Sequence, residues 1–81
     1  MIKMIIEIDG YYEQVLLSGE SCTIKELQRM YWQVKRQAVH ALDVPKILVA
    51  QYGFTRLPYD ESVQVAFVID TDTDRIYARN Y

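Results

Sequence analysis

Apolar and polar positions along this chain change period several times, and each change marks an element. Residues 2–8 (IKMIIEI) are dense in β-branched side chains and read as a strand. Asp9-Gly10 follows, a dipeptide suited to a two-residue type I′ turn, so residues 11–17 (YYEQVLL) are expected to return as a second strand. In that register Ile8 faces Tyr11, Met4 faces Val15 and Ile2 faces Leu17, while Ile6 faces Glu13, a mismatch that suggests a bulge or an edge position. Ser18-Gly19-Glu20-Ser21 is expected to end the strand.

The period then becomes helical. Thr23-Ile24-Lys25-Glu26 has the form of a capping box, in which the Thr hydroxyl accepts from the N3 amide and the Glu side chain accepts from the cap amide. Cys22 and Leu27 stand where a hydrophobic staple would place them. Ile24, Leu27, Tyr31, Val34, Ala38 and Ala41 recur at alternating steps of three and four, which predicts one helix from Ile24 to about Leu42. Val44-Pro45 is expected to end it, because the residue before proline disfavours α geometry.

Residues 46–55 (KILVAQYGFT) read as a third strand with Gly53 at a possible bulge. Leu57 to Ser62 reads as a loop. Residues 63–70 (VQVAFVID) alternate cleanly, with Val63, Val65, Phe67 and Ile69 on one side. Thr71 to Asp74 is turn material, and residues 75–81 (RIYARNY) close the chain as a short edge strand. The expected fold is a single α+β domain over residues 1–81. It has an antiparallel sheet of four to five strands, one long helix on one face and the order ββαβββ.

That fold raises a question of coverage. One helix roofs one face of a sheet, and the other face should then read polar. Here Ala66 and Val68 lie opposite the Val63/Val65/Phe67/Ile69 row, Leu48, Ala50, Tyr52 and Phe54 lie opposite Ile47 and Val49, and Ile5 and Leu16 lie behind the first hairpin. Lys3, Glu7 and Gln64 only dilute this second face. Large exposed apolar patches are uncommon on monomers. The expectation is therefore a homodimer, or a different protein, on the second face; the alternative is a sheet that curls and covers itself.

Composition narrows the function. Half the residues are hydrophobic and a quarter are charged, which is ordinary globular composition. The longest apolar run, Val65–Ile69, is far short of a membrane span. The N-terminal Met1-Ile2-Lys3-Met4 has no signal-peptide character, and the lone thiol, Cys22, fits a reducing compartment, so a cytoplasmic protein is expected. His40 is the one histidine, so no Cys/His metal set can be assembled, and no cofactor is called for. The net charge is −2 but it is uneven. Residues 1–23 hold Lys3 against Glu7, Asp9, Glu13 and Glu20, whereas residues 24–42 hold Lys25, Arg29, Lys35 and Arg36 against Glu26. A basic segment thus sits inside an acidic chain, and the acidic balance argues against non-specific DNA binding as the main activity.

Within that segment Lys25, Arg29, Trp32 and Arg36 recur at steps of four, three and four, and Val39 extends the row. The row lies on the far side of the helix from its apolar stripe. Basic side chains around a flat aromatic suit phosphates and a stacked base, or an acidic protein groove; the plainer reading is a solvated helix face. Tyrosines on strands suit an interface, which together with the second face nominates Ile5, Leu16, Tyr52, Phe54, Val68, Tyr77, Arg79 and Tyr81.

Asp70-Thr71-Asp72-Thr73-Asp74 opens like a calcium loop, but Arg75 stands where the loop needs Gly and Tyr81 where it needs Glu, so a hairpin turn with local Asp hydrogen bonds is expected. No HExxH, CxxC, GxGxxG or GxxxxGK[ST] motif occurs. Cys22 is expected to be a buried staple residue and His40 a solvated one. A metal-free ribonuclease could use Arg, Lys and Tyr alone, and Arg56, Tyr59, Arg75, Tyr77 and Arg79 would be its candidates, although nothing in their spacing requires it. The leading expectation is a non-enzymatic binding or regulatory module, acting as a homodimer on another macromolecule. Nucleic-acid binding through the basic helix face comes second and ribonuclease activity third. Small size and missing catalytic motifs would suit an accessory protein of a virus or mobile element.

Overall fold

The computed structural model describes residues 3–10 and 13–79. Strands β1 (Lys3–Asp9) and β2 (Gln14–Glu20) precede helices α1 (Ile24–Gln37) and α2 (Asp43–Tyr52), and strands β3 (Thr55–Leu57), β4 (Phe67–Asp70) and β5 (Arg75–Ala78) follow. The five strands form one sheet in the order β3-β2-β1-β4-β5. The α+β class and the short edge strand at the end agree with the sequence. Two features are corrected: the sheet is mixed, because β1 and β4 run parallel, and two helices replace the one long helix, giving ββααβββ.

The first hairpin forms with a wider connection than Asp9-Gly10 implied. Ile8 pairs with Val15, Ile6 with Leu17 and Met4 with Gly19, and the Gly10 amide donates to the Glu13 carbonyl at 2.9 Å. The two-residue turn would have set Ile6 against Glu13; this register sets it against Leu17, and hydrophobic pairing wins over local turn preference. Each partner moves by an even number of residues, so every side chain keeps its face. The strand also continues through Ser18, Gly19 and Glu20. Gly19 lets it do so beside a bulky neighbour: a Cβ there would lie 2.5 Å from the Phe54 ring.

The capping box forms as expected. The Glu26 amide donates to Thr23 Oγ1 at 3.2 Å, and the Thr23 amide donates to the Glu26 carboxylate at 3.0 Å. Bonds from the Thr23 backbone and hydroxyl hold the Glu26 carboxyl below its usual range. Leu27, Tyr31 and Val34 are buried along the inner stripe. The helix ends at Gln37 rather than near Leu42, because the Asp43 carboxylate accepts the Val39 and His40 amides at 3.3 and 3.1 Å. Those amides would otherwise extend the helical ladder.

Residues 46–55 are the largest correction. The segment expected as a strand lies mostly in α2, with Val44, Pro45 and Leu48 buried. Pro45 sits in the first turn, where a missing N–H costs nothing. Gly53 is no bulge; it ends the helix in the left-handed conformation (φ 73°), its amide bonded to the Leu48 carbonyl.

The core has two parts, one on each side of the sheet. Met4, Ile6, Ile8, Val15, Leu17 and Ile69 pack against Leu27, Tyr31 and Val34 of α1 and Val44 and Leu48 of α2. On the other side Leu16, Val65 and Val68 are buried, with Ile5, Leu57 and Val63 packed against them. This second cluster is built from the chain's own residues. β3 and β4 are separated within the sheet by β2 and β1, so the chain between them must cross the sheet, and it does so over the face the helices leave open. Residue Ala66 anchors the crossing by donating to the Ile5 carbonyl at 2.8 Å. Leu57, Val63 and Val65 of the chain itself thus pack over Leu16 and Val68 on the second face.

Candidate functional site

The expected interface set is dispersed by this packing. Leu16 and Val68 are each 1% exposed beneath the crossing segment, and Ile5 packs beside them. Phe54 is buried on the opposite, helix-covered side, where half-buried Tyr52 also packs. The Tyr52 hydroxyl donates to Gln33 at 2.8 Å. Tyr77, on edge strand β5, is 47% exposed. Arg79 is engaged, donating to Glu7 at 3.0 Å. Tyr81 lies outside the described residues. These positions do not make one contiguous surface.

The ribonuclease set separates as well. Arg56 is on β3 at one edge of the sheet and Arg75 and Tyr77 are on β5 at the other, while the Arg56 guanidinium donates to Glu13 at 2.5 Å. Tyr59 and Arg79 do meet, lining a cleft of about 300 Å3 with Glu7, Asp60 and Glu61. Glu7 is 5% exposed, the charged exception in the core. It pairs in the sheet with Leu16 on one side and Val68 on the other. Burial raises its pKa, Asp9 adds to the rise, and Arg79 opposes it. Asp9 Oδ1 is buried without a hydrogen-bond partner, and a protonated Glu7 is the donor that could satisfy it. Of this group the sequence nominated Tyr59 and Arg79 and marked Glu7 as a polar position diluting an oily face, but gave no sign that the three would meet.

The helix row behaves otherwise. Lys25, Arg29, Trp32 and Arg36 are all exposed along α1. Val39 no longer extends them on the helix, which ends two residues earlier, yet it is 83% exposed just beyond. Gln28 and Gln33 flank the row, and its acidic neighbour on the helix is Glu26, one turn before Arg29, whose charge adds to the Thr23 bonds in lowering the Glu26 pKa. Among the described residues the ion pairs are Lys35–Asp74, Arg56–Glu13 and Arg79–Glu7. Lys25, Arg29 and Arg36 belong to none of them.

Trp32 is 49% exposed but not loose. Its ring meets Tyr31 edge-on at 5.6 Å between centroids, and Lys35 Nζ stands 5.4 Å from its centroid, within cation–π range. Lys35 is in turn held by Asp74, which also accepts from the Tyr31 hydroxyl at 2.6 Å. Asp74 reaches both from a left-handed turn residue, φ 60°, a conformation Asp tolerates better than most. The two hydrogen bonds, Lys35 first, hold its carboxyl below the usual range. Burial and the Asp74 bond push the Tyr31 phenol well above its own. The β4–β5 turn thus fixes the indole through Lys35. Sequence reasoning missed Lys35, although its position one helical turn from Trp32 was a usable signal.

The remaining candidates are quiet. Burial, then the neighbouring Glu26 charge, raises the Cys22 pKa and keeps the thiol protonated. Asp70 is used as a turn residue, accepting from the Asp72 and Thr73 amides at 2.9 and 3.3 Å, which is the hairpin reading of that motif. Among the described residues no group of three His, Cys, Asp or Glu side chains is placed to hold a metal ion, and no helix is long and apolar enough to cross a membrane. No protein-family model matches the chain, and no similar protein was found among curated sequences or solved structures.

Proposed function

We propose that this protein is a non-catalytic binding module that engages an acidic protein partner through the outward face of α1. The observation that carries the reading is the half-exposed Trp32, fixed by Lys35 and Tyr31, in a row with three cations that have no ion-pair partner among the described residues. Trp and Arg dominate the energetics of protein interfaces, and a pre-positioned ring loses little entropy on docking. Outside residues 24–42 the chain is acidic, which favours a compact contact on one helix over an extended polyanion lying across the whole surface. A homodimer is supported now by the open β5 edge with its exposed Tyr77 rather than by an uncovered sheet face.

Trp32 is the chain's one tryptophan, so its emission reports contact directly. Titration with polyglutamate at low salt should shift and quench it. Added salt should weaken the response, and Arg29→Glu with Arg36→Glu should abolish it without altering the fold. The flat indole between cations favours single-stranded nucleic acid as the second reading, and a response to oligothymidylate alone would transfer the proposal there. Silence toward both probes ends it. Sedimentation of the free chain tests the dimer in the same preparation, a 9.6 kDa monomer counting against it.

A further inference from the structure

β5 ends the sheet on one side, and one contact fixes which of its backbone groups point away from the sheet. The Arg79 amide donates to the Ala66 carbonyl at 3.1 Å, in the same register that pairs Ala78 with Phe67 and Tyr77 with Val68. Bonded and non-bonded pairs alternate along an antiparallel ladder. Arg75, Tyr77 and Arg79 therefore turn their amides and carbonyls toward β4, while Ile76 and Ala78 turn theirs outward. Among the described residues no strand lies beyond them. The strand holds neither proline nor glycine, and its register runs without a bulge, so nothing on it blocks pairing.

The helix layer overhangs this edge. α1 packs on β5 and α2 on β2, so α1 is the outer helix on the β5 side. Gln33 and Gln37 face α2, bonded to Tyr52 and Gln51. The opposite flank of α1 carries Trp32 and Lys35, and the bonds of Tyr31 and Lys35 to Asp74 tie it to the start of β5. A strand added to β5 would lie about 4.8 Å further out, beside that flank. On its other face it would meet Arg75, which shares a side of the sheet with Tyr77 and Val68. Arg75 is exposed and joins no ion pair among the described residues. The edge is thus bordered by cations on both faces, Arg75 on one and the α1 row on the other.

We infer that the acidic partner docks here in extended form, a segment of it joining the sheet as a sixth strand on β5. Its backbone bonds to Ile76 and Ala78, and its alternate side chains reach Trp32 on one face and set carboxylates against Arg75 on the other. This rests on the reading of α1 as a surface for an acidic protein and specifies the shape that protein takes there. A second copy of the chain suits the edge less well. Pairing two β5 strands so that Ile76 of each meets Ala78 of the other sets Arg75 of each copy opposite Arg79 of the other, and like charges directly opposite are destabilising. An acidic segment reverses that sign, so it displaces a homodimer that uses this edge.

The test is a titration of the full chain at low salt with a short peptide of alternating Glu and Val, read by Trp32 emission and by amide hydrogen exchange. The peptide should shift the emission and slow exchange at Ile76 and Ala78 by about tenfold or more, and an alternating Lys–Val peptide should do neither. Ala78→Pro removes one outward donor at a position where an edge strand accepts proline, and should weaken the peptide about tenfold. Arg75→Glu should weaken it about fivefold. The exchange measurement uses the unaltered chain, so it decides the matter even if the proline variant fails to fold. A shifted emission with Ile76 and Ala78 exchanging as in the free chain overturns strand addition and leaves the α1 reading standing. Silence in both readouts overturns it too, and the polyglutamate titration then tells whether the α1 reading falls with it. Protection of the same two amides in the free chain, rising with its concentration, gives the edge to a second copy and overturns the inference.

Discussion

The two faces of the sheet are covered by different means. On one side two helices lie over Ile6, Ile8, Leu17 and Ile69, and the buried cluster is wholly hydrophobic. On the other a single irregular crossing, residues 57–65, closes over Leu16 and Val68 and over the carboxylate of Glu7. The first face is a packed core with periodic partners. The second is a smaller core whose cover is a loop and whose centre carries a charge that burial disfavours. An apolar second face is therefore weak evidence for a partner when a strand-to-strand connection must cross it.

Neighbouring leucines on β2 measure the difference directly, since Leu17 points to the helices and Leu16 to the crossing segment. Leu17→Ala should cost about 4 kcal/mol and Leu16→Ala about 2–3 kcal/mol in urea unfolding, because a loop can settle into a void better than two helices can. Equal losses, or a larger loss at Leu16, would break the comparison. Gly19→Ala probes the helix-covered side from its end: the added Cβ would meet the Phe54 ring and should cost about 2 kcal/mol by overpacking. Tyr31→Phe removes the hydrogen bond to Asp74 and should cost about 1 kcal/mol, with a change in Trp32 emission as the second readout.

The smallest effect is the most specific. Glu7 has its folded pKa raised above 4.5, so it binds its proton more tightly in the folded state. That stability is present at low pH and is lost as pH rises through the raised value. Asp74 has its pKa lowered below 3.8, so its contribution is present above that value and is lost as pH falls through the depressed one. The stability profile should therefore decline on the alkaline side of about pH 4.5 through Glu7, and on the acid side through Asp74. Glu7→Gln should flatten the alkaline decline and leave the acid limb unchanged. An unchanged alkaline limb in that variant would show that the loop-covered face does not carry the buried charge.

Local chemistry was legible wherever the signal lay within one helical turn. The Thr23–Glu26 capping box, the Leu27–Tyr31–Val34 stripe, the Asp70 turn and the outward row of Lys25, Arg29, Trp32 and Arg36 all stand where side-chain spacing put them. Residues 46–52 were not legible, because a short apolar run satisfies both strand and helix periods. Proline there reads as a helix stop or as a first-turn residue, depending on where the helix starts. The hairpin register was misjudged because the Asp9-Gly10 signal is local, whereas the pairing of Ile6 with Leu17 is decided by the core.

By itself the sequence determined which residues prefer burial, the amino-terminal cap of the first helix and the charge carried on its outer side. Side-chain volume, hydrogen-bonding capacity and helical spacing are local properties, and they survive any arrangement of the elements. Tertiary structure alone decided that β1 and β4 run parallel, that residues 57–65 shelter the second face, and that Asp74 reaches Lys35 behind Trp32. Each depends on which strands become neighbours, and strand order is set by the total burial of the whole chain rather than by any segment of it.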